Sequence, residues 1–341
     1  MDELIVAGIT RVVTGSGIPS PLLPPRPDRR RVAILTQPGA TSRALDVAGV
    51  LRAEDLIVEV IGLPDREEAK TLAVVESVYE ALARFGLARG DTVIGLGGGT
   101  VTDVAGYVAG TWLRGVEVVH LPTTLLGAVD ASIGGKTGVN LAGKNLVGVI
   151  WHPTLVIIDT DVLEALPTVL LREGMAEAFK AGLVGDAQLC SLVADRGLNA
   201  PLEELVWRSV AVKAGIVTRD DRESGERVYL NYGHTIGHAI EYSSPLSHGE
   251  SVGLGMIAAS RMSEKIKGFD QMELVVSTIE RLGLPTLVDG LDPARVIDLL
   301  RHDKKHDGDG LRMVLLRDIE DPVLDHVDEA DIEIGMSAVG L

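Results

Sequence analysis

Short apolar runs, rich in β-branched residues, alternate with longer amphipathic segments through the first half of the chain. Runs of this kind are typical of strands buried on both faces, and the segments between them have helical spacing. Such alternation predicts a parallel sheet covered by helices. The predicted strands are 32–36, 56–63, 92–97, 116–122 and 154–160, and the predicted helices between them are 41–53, 68–87 and 101–113.

The strand pattern fades after about residue 164, and helical spacing dominates the rest of the chain. One late strand-like run, 311–317, interrupts it, and a proline-rich loop at 19–31 precedes the first predicted strand. A length of 341 residues suits about two domains. We therefore predict an α/β domain at 1–163 and a mainly helical domain at 164–341. The helices predicted in the second domain are 168–196, 201–220, 232–241, 249–267, 271–282 and 293–302.

Composition and charge restrict the possible partners. Apolar residues make up 46% of the chain and aromatic residues only 3%, so the cores must be aliphatic. The formal net charge of −17 argues against nucleic acid, whose binding depends on a basic surface, and against an anionic membrane surface. A small anionic substrate remains compatible, since a few lysines and arginines can dominate a cleft locally.

The cysteine content and the N-terminal segment bear on the cellular compartment. A single cysteine, Cys190, rules out an intramolecular disulfide and a cysteine-rich zinc site. The opening MDELIVAGIT is acidic and lacks the basic start and long apolar stretch of a signal peptide. No apolar run approaches the ~20 residues that a membrane-spanning helix needs. We expect a soluble, cytoplasmic protein.

Three consecutive glycines, Gly97 to Gly99, lie between a predicted strand and a predicted helix. Backbone at such a turn can approach a phosphate closely, and the helix N-terminus offers free N–H groups. The segment is not the dinucleotide-binding fingerprint, because Thr100 occupies the position of its third glycine. Packing alone explains a GGG turn equally well, so the motif by itself leaves its role open.

A polar, glycine-rich stretch at 130–145 has some likeness to a P-loop. Asp130 stands where that loop requires glycine, so a P-loop ATPase is excluded. The glycines favour backbone close to a ligand over the alternative, a solvated surface loop. Upstream, Arg114 ends a predicted helix, where a cation complements the helix dipole whether or not it binds phosphate. The polar residues of the stretch are Asp130, Lys136, Asn140, Lys144 and Asn145.

Three of the eight histidines lie between 231 and 250 and suggest a metal site. His234 and His238 are four residues apart, which places them on one face of a helix. The HExxH protease motif is excluded, because Thr235 occupies the position of its glutamate. His248 offers a third nitrogen.

An acidic ligand can come from the segment GMAEAFKAG, at 174–182. Glu177 and Lys180 lie one helical turn apart there, and the alternative to a ligand is an exposed ion pair between them. Spacing alone does not choose among the histidines or decide whether this glutamate joins them.

Taken together, six segments spread over positions 94–306 resemble one family, the 3-dehydroquinate synthases and their sugar-phosphate cyclase relatives. The long central segment is far more specific than any of the single motifs above. The segments are GGGTVTDVAG, RGVEVVHLPTTLLGAVDASIGGKTGVNLAGKN, GMAEAFKAG, LNYGHTIGHAIE, HGESVGLGM and RHDKK.

The resemblance implies a Rossmann-like, NAD-binding α/β domain, a helical domain that bears zinc or cobalt, and a homodimer. Matched position by position, Glu177, His234 and His248 would be the metal ligands, while His238 would face the substrate. The cofactor contacts implied are Glu67, Lys70, Gly97, Gly98, Gly99, Asp103, Thr123 and Thr124, together with Asp130, Lys136 and Lys144.

The resemblance also implies the surroundings of the substrate. Asp130 would lie between substrate and cofactor, and Arg114 would reach a substrate phosphate from the partner subunit. Lys304 would contact the substrate, with Lys305 as its possible substitute. The other substrate contacts implied are Lys136, Lys144, Asn145, Lys180, Lys213, Arg227 and Asn231.

The reaction implied is conversion of 3-deoxy-D-arabino-heptulosonate 7-phosphate to 3-dehydroquinate and phosphate, a step of the shikimate pathway to aromatic amino acids. The reaction has four steps: oxidation by NAD, phosphate elimination, reduction and an intramolecular aldol closure. NAD is recycled, because the reduction returns the hydride. Two histidines and a glutamate suit a zinc ion with open positions, and lysines and arginines suit a carboxylate and a phosphate.

Two departures from the family pattern concern local contacts. Gln37 stands where many members carry Asp or Asn near the cofactor ribose, so one NAD contact implied by the resemblance differs here. The segment between His238 and His248 is shorter than in many relatives, which affects the loop more than the ligands.

Three alternatives stay open at this point. Cyclases of other sugar phosphates are the nearest, and among them an aminodehydroquinate synthase would have nearly the same residues. A metal-dependent polyol dehydrogenase would release NADH, but a neutral polyol needs no cluster of cations. A non-catalytic metal-binding protein would be favoured by a missing ligand or lysine, and neither is missing.

Overall fold

The computed structural model describes residues 2–19, 21–301, 306–307 and 310–341. The predicted substrate contact Lys304 and its neighbour Lys305 lie outside the described residues. The chain divides into two units, Met1–Leu166 and Pro167–Leu341. Within the described residues, no helix is both long and apolar enough to cross a membrane.

The N-terminal unit is built on a seven-stranded sheet in the order β1-β2-β9-β6-β5-β3-β4. Its strands run parallel except for the β1–β2 hairpin at one edge, so the predicted parallel α/β sheet is confirmed. A separate hairpin pairs a short strand of the polar stretch with a short strand just after it. The strands are β1 (Asp2–Val6), β2 (Thr10–Gly15), β3 (Arg31–Thr36), β4 (Ile57–Gly62), β5 (Thr92–Gly97), β6 (Glu117–Pro122), β7 (Lys136–Val139), β8 (Val147–Ile150) and β9 (Leu155–Asp159).

Helices cover both faces of this sheet and bury two aliphatic cores against it. The predicted helix from residue 68 begins later, at Leu72, because the side chain of Thr71 caps the helix by accepting from Val74 N. The same helix ends at Gly86, whose φ of 74° suits glycine. The helices of this unit are α1 (Thr41–Ala53), α2 (Leu72–Phe85), α3 (Gly99–Thr111) and α4 (Thr160–Glu164).

The C-terminal unit is mainly helical, as predicted, and carries one small antiparallel sheet. The single helix predicted at 168–196 is wrong, because Asp186 leaves the helical conformation and its carboxylate caps a new helix by accepting from Leu189 N. The helices are α5 (Thr168–Gly185), α6 (Ala187–Arg196), α7 (Leu202–Arg219), α8 (His234–Ser243), α9 (His248–Lys267), α10 (Met272–Arg281), α11 (Pro293–Arg301) and α12 (Glu329–Ser337). The strands are β10 (His306–Asp307), β11 (Gly310–Asp318) and β12 (Asp321–Val327).

Glycines let α8 and α9 pack with their backbones in contact. A Cβ atom on Gly255 would overlap the carbonyl oxygen of Gly233 and lie 2.7 Å from the amide nitrogen of Gly237. A Cβ atom on Gly237 would lie 2.9 Å from the carbonyl oxygen of Ser251. Both helices begin with a histidine, so this close packing determines how near those two histidines lie.

His120 is expected to make the stability of the N-terminal unit depend on pH. Its side chain is buried in β6, and burial lowers its pKa from 6.5 to about 3. Because the unfolded chain takes up this proton below about pH 6.5 and the folded chain does not, this contribution is complete above pH 6.5 and is lost as the pH falls towards 3. At about pH 5 the loss is ~2 kcal/mol.

The measurement is urea unfolding of the wild type and of His120→Asn between pH 7.5 and pH 5. The absolute stability of the variant will be lower, but its free energy of unfolding should change less with pH. An equal pH dependence in both proteins would contradict the assignment.

Candidate functional site

A buried carboxylate in the C-terminal unit is contacted by two imidazole rings. Oε1 of Glu177 lies 3.2 Å from Nε2 of His234 and 3.1 Å from Nε2 of His248. The ligand atoms of these three residues all lie within 4.8 Å of one another. Ligands of a tetrahedral zinc, each at about 2.0–2.1 Å from the ion, are about 3.3–3.4 Å apart, so the set has the dimensions of a metal site.

The local sequence explains why these three side chains meet. His248 begins α9 next to Ser247, which caps the helix together with Glu250 in a reciprocal capping box. Gly249 follows, and its missing side chain lets α9 approach α5, because a Cβ there would lie 2.5 Å from Cα of Glu173. Glu173 is one helical turn before Glu177, so this contact brings the first turn of α9 to the carboxylate.

Burial and neighbouring groups shift the ionisation of all three side chains of the cluster. Burial opposes ionisation of Glu177, but Lys180 and His234 outweigh it and hold the pKa of that carboxyl well below its ordinary value. His234 has a lowered pKa because it is buried. Burial opposes protonation of His248, but hydrogen bonds to Glu177 and Glu241 outweigh it and raise its pKa to about 10.

The tautomer of His234 is suited to metal binding. Its Nδ1–H donates to the carbonyl oxygen of Tyr232 at 3.2 Å, so neutral His234 turns the lone pair of Nε2 towards Oε1 of Glu177. Two acceptors at 3.2 Å repel each other unless a cation or a proton lies between them. The residues present therefore fit a divalent metal ion.

His238 lies beside this cluster, on the exposed side of α8. Its ring centroid is 5.1 Å from that of His234 and 6.0 Å from that of His248. A second set of possible ligands, His238, Glu241 and His248, shares one histidine with the first. Sequence reasoning missed Glu241, although its position three residues after His238 on one helical face was a usable signal.

Three cationic side chains of this unit that were predicted to contact the substrate are buried. Lys180 forms an ion pair with Glu177 in which the two side chains are 3% and 1% exposed, so the alternative of an exposed ion pair is wrong. Lys213 on α7 and Arg227 are also buried. Nη1 of Arg227 donates to the carbonyl oxygen of Asp221 at 2.6 Å.

A loop after α7 holds Arg227 in place. The carboxylate of Asp220 accepts from the backbone N–H groups of Ser224, Gly225 and Arg227, and these bonds lower its pKa to about 2. Asn231, four residues beyond Arg227, donates from Nδ2 to Glu223 at 2.8 Å. The loop is thus held by its own polar groups before the chain enters α8.

In the N-terminal unit, the three glycines form the turn between β5 and α3. A Cβ on Gly97 would lie 2.5 Å from Val101, and one on Gly98 would lie 3.2 Å from Thr124. Gly98 is the N-cap of α3 and has no side chain to cover the free N–H groups of the first turn. Thr123 N donates to the carbonyl oxygen of Gly97 at 2.9 Å, which joins the β6 end to this turn. Such a helix N-terminus can accept a phosphate.

Lys70 connects this unit's polar residues. Its Nζ donates to Asp103 at 2.7 Å and to Asn145 at 2.5 Å, and the lysine is 3% exposed. Burial raises the pKa of Asp103, and Lys70 counteracts that effect. Glu67, one turn before Lys70, accepts from Asn140 Nδ2 at 2.8 Å. Polar residues from three separate parts of the sequence therefore lie together: Glu67 and Lys70, Asp103, and Asn140 and Asn145.

Lys136 and Lys144 belong to the same region. Lys136 begins β7 and is exposed, and with Asp103 and Asn145 it lines a cavity of about 240 Å³. Lys144 is half-buried in the β7–β8 loop. Asp130 lies in a short π-helical turn, Gly127–Ala131, that begins just after Thr124. The cavity is large enough for part of a small ligand.

Gln37 has a definite role in the structure. Its Nε2 donates to the carbonyl oxygens of Pro64 at 2.7 Å and of Arg66 at 2.9 Å. An aspartate has no donor for these bonds, so the amide at this position anchors the turn that carries Glu67 and Lys70.

Arg114 is exposed on a strained turn after α3, and not at the end of the helix itself. Leu113 has φ 50° and Arg114 has φ 66°, a conformation that is uncommon in residues other than glycine. Gly115 follows at φ 119°, and a Cβ there would overlap the ring of Trp151. The turn is therefore held in shape by packing, which is typical of backbone strain at functional positions.

Comparison with known proteins identifies the family. The model of the 3-dehydroquinate synthase N-terminal region matches residues 60–173, and that of the C-terminal region matches residues 174–306. A 3-dehydroquinate synthase of Saccharopolyspora erythraea is 43% identical over 322 residues, covering 91% of this chain and 87% of the relative. The chain belongs to the 3-dehydroquinate synthase family. A member from Mycobacterium leprae is 40% identical, covering 91% and 89% of the two chains.

Solved structures agree with membership of the 3-dehydroquinate synthase family. A 2-deoxy-scyllo-inosose synthase, complexed with carbaglucose-6-phosphate, NAD+ and Co2+, is 27% identical with a TM-score of 0.87, covering 96% of this chain and 97% of that one. A 2-epi-5-epi-valiolone synthase from Streptomyces hygroscopicus, with NAD+ and Zn2+ bound, is 28% identical with a TM-score of 0.87, covering 96% of each chain. A probable glycerol dehydrogenase from Sinorhizobium meliloti, 16% identical with a TM-score of 0.63 and covering 92% and 91% of the two chains, shares the fold alone.

Proposed function

We propose that this protein is a 3-dehydroquinate synthase, which converts 3-deoxy-D-arabino-heptulosonate 7-phosphate to 3-dehydroquinate and phosphate. The observation that carries the proposal is the cluster of Glu177, His234 and His248 with the buried Lys180 beside it, in a chain of this family. The cluster can hold a metal ion, and the lysine brings a cation for an anionic substrate. The enzyme is accordingly a carbon–oxygen lyase that releases phosphate.

The cofactors are NAD and one zinc or cobalt ion. Glu177, His234 and His248 would hold the ion. The metal supplies Lewis acidity towards a substrate hydroxyl and ketone, and NAD supplies reversible hydride acceptance. The N-terminal unit would bind NAD and the C-terminal unit would bind the metal. The NAD contacts proposed are Glu67, Lys70, Gly97, Gly98, Gly99, Asp103, Thr123, Thr124, Asp130, Lys136 and Lys144.

The cationic side chains would bind and orient the substrate. Arg227 is 1% exposed and Lys213 is 8% exposed, so each presents its charge in a poorly hydrated position where it acts strongly on a carboxylate or phosphate. Asn231 can donate to a substrate hydroxyl, and Glu223 orients its amide. Lys136, Lys144, Asn145 and Lys304 are proposed as further substrate contacts.

His238 would hold or move a proton at its exposed imidazole during elimination and closure. We expect His238→Asn to reduce kcat by about 10²–10⁴-fold, since general acid–base catalysis contributes that much. Metal analysis of the purified variant should still find the wild-type content. Loss of stoichiometric metal from His238→Asn would contradict the assignment and place this histidine among the ligands.

The decisive experiment for the function is phosphate release from the heptulosonate phosphate with catalytic amounts of NAD. We expect many turnovers per NAD without net NADH, and loss of activity after chelation that added Zn2+ or Co2+ restores. Failure to release phosphate with both cofactors present would refute the proposal. NADH accumulation with glycerol would indicate a polyol dehydrogenase instead.

We also propose a cytoplasmic homodimer in which Arg114 serves the substrate of the partner subunit. The exposed, strained turn that carries Arg114 supports this role. Mixing Arg114→Ala with Lys180→Ala should restore activity that neither variant has alone, because one intact site forms in each mixed dimer. A monomeric mass in solution, or no recovery after subunit exchange, would contradict it.

A further inference from the structure

Glu241 contacts the side of His248 that faces away from the candidate metal position. Nδ1 of His248 donates to Oε2 of Glu241 at 3.3 Å, while Nε2 of the same ring lies 3.1 Å from Glu177. The two nitrogens of one imidazole are thus divided between two carboxylates. Glu241 is itself half-buried, with a side-chain exposure of 13%.

The fold explains why Glu241 reaches this position. It lies in the last turn of α8, and only four residues, 244–247, connect that helix to His248 at the start of α9. Leu246 N donates to Oγ of Ser244 at 3.3 Å, and the capping box of Ser247 then starts α9. This short connection leaves His248 directly beside the end of α8.

The rings of the two candidate ligands, His234 and His248, are each held by a hydrogen bond from Nδ1, the nitrogen that faces away from Glu177. His234 donates from Nδ1 to a backbone carbonyl oxygen, that of Tyr232, and His248 donates from Nδ1 to Glu241. In each ring this bond keeps a hydrogen on Nδ1 and leaves Nε2, on the side of Glu177, as the nitrogen that can bind a metal. The difference is that the partner of His248 is charged.

We propose that Glu241 is a positioning residue of the metal centre, which orients His248 and makes it a stronger ligand. The inference rests on the proposed function, because it assumes that Glu177, His234 and His248 bind the metal. A carboxylate behind a ligating imidazole fixes the ring and increases its basicity. The competing assignment, in which Glu241 itself binds a second ion with His238 and His248, shares His248 with the first set of ligands.

The experiment compares the wild type with Glu241→Gln and Glu241→Ala in full-length protein. Glu250→Gln is the matched control, because it removes one negative charge close to His248 and can still accept from Ser247 N. The readouts are metal content, Zn2+ affinity by competition with a chelator, and the visible absorption spectrum of bound Co2+. Thermal unfolding monitored by circular dichroism checks that each variant is folded.

We expect Glu241→Gln to weaken Zn2+ binding by about 10–100-fold, while saturating metal still gives one ion per chain. The Co2+ spectrum should change, and Glu250→Gln should bind Zn2+ like the wild type. Wild-type affinity in folded Glu241→Gln and Glu241→Ala would overturn the proposal. Two ions per wild-type chain, with one lost in Glu241→Gln, would also overturn it and make Glu241 a ligand.

The experiment distinguishes a wrong role for Glu241 from a wrong proposed function. If the wild type binds no metal at all, the metal centre of the proposed function is refuted. If the wild type binds metal and releases phosphate but Glu241→Gln keeps full affinity, only the role of Glu241 is refuted.

Discussion

Glu177→Gln is expected to lower the turnover of phosphate release by about 10³-fold or more. The carboxylate is the only negatively charged group among the three proposed ligands, and Lewis acidity contributes several kcal/mol to such reactions. The substitution also leaves Lys180, which is 2% exposed, without its ionised partner. The measurements are steady-state phosphate release at saturating NAD and metal content after dialysis.

Glu173→Gln is the matched control, because Glu173 lies one turn earlier on α5 and meets α9 through its backbone. It should retain metal and most of the activity. Normal metal content together with normal turnover in Glu177→Gln would contradict the proposed centre. Loss of metal and of activity in Glu173→Gln would show that the two measurements report the stability of α5 instead.

Gly255→Ala is expected to destabilise the C-terminal unit by about 3 kcal/mol or more and to weaken metal binding. The added methyl group would overlap the carbonyl oxygen of Gly233, and backbone cannot move aside as a flexible side chain can. Separation of α8 from α9 moves His234 away from His248, so stability and metal affinity should fall together. Thermal unfolding should shift down by about 10 °C, since 1 kcal/mol corresponds to roughly 2–4 °C for a unit of this size.

Gly253→Ala provides the comparison on the same helix. The nearest atom to its added Cβ would be Cγ2 of Ile279 at 3.6 Å, an ordinary contact distance. Alanine favours a helix over glycine by about 0.5–1 kcal/mol, so this variant should be as stable as the wild type or more so. Equal behaviour of Gly253→Ala and Gly255→Ala would show that the close approach of the two helices does not control the site.

Much of the fold was predictable because its signals are local. The apolar runs that became β3, β5, β6 and β9 are buried on both faces and therefore nearly continuous in the sequence, while the run that became β4 lies at an edge of the sheet. The elements that were missed carry weaker signals. Strand β1 lies at an exposed edge of the sheet. Strand β12 is stabilised by pairing with β11, and the spacing of residues within β12 does not reveal that pairing.

The candidate site was predictable in its residue types but not in its pairings. Spacing favoured His234 with His238, since residues four apart share a helical face. In the structure the rings of His234 and His238 are neighbours, with centroids 5.1 Å apart. The carboxylate of Glu177, however, faces Nε2 of His234 and Nε2 of His248. Glu241 was missed because its contact depends on how the chain returns from α8 to α9.

The sequence by itself determined the α/β and helical organisation, the absence of a cysteine-rich metal site, and the family resemblance with its candidate residues. Those conclusions follow from periodicity, composition and matched motifs, which are properties of neighbouring positions. Only the tertiary structure decided that Lys180 is buried with Glu177, and that His248 lies between Glu177 and Glu241. The physical reason is that these contacts join α5, α8 and α9, and helix packing through glycine backbones sets their distances.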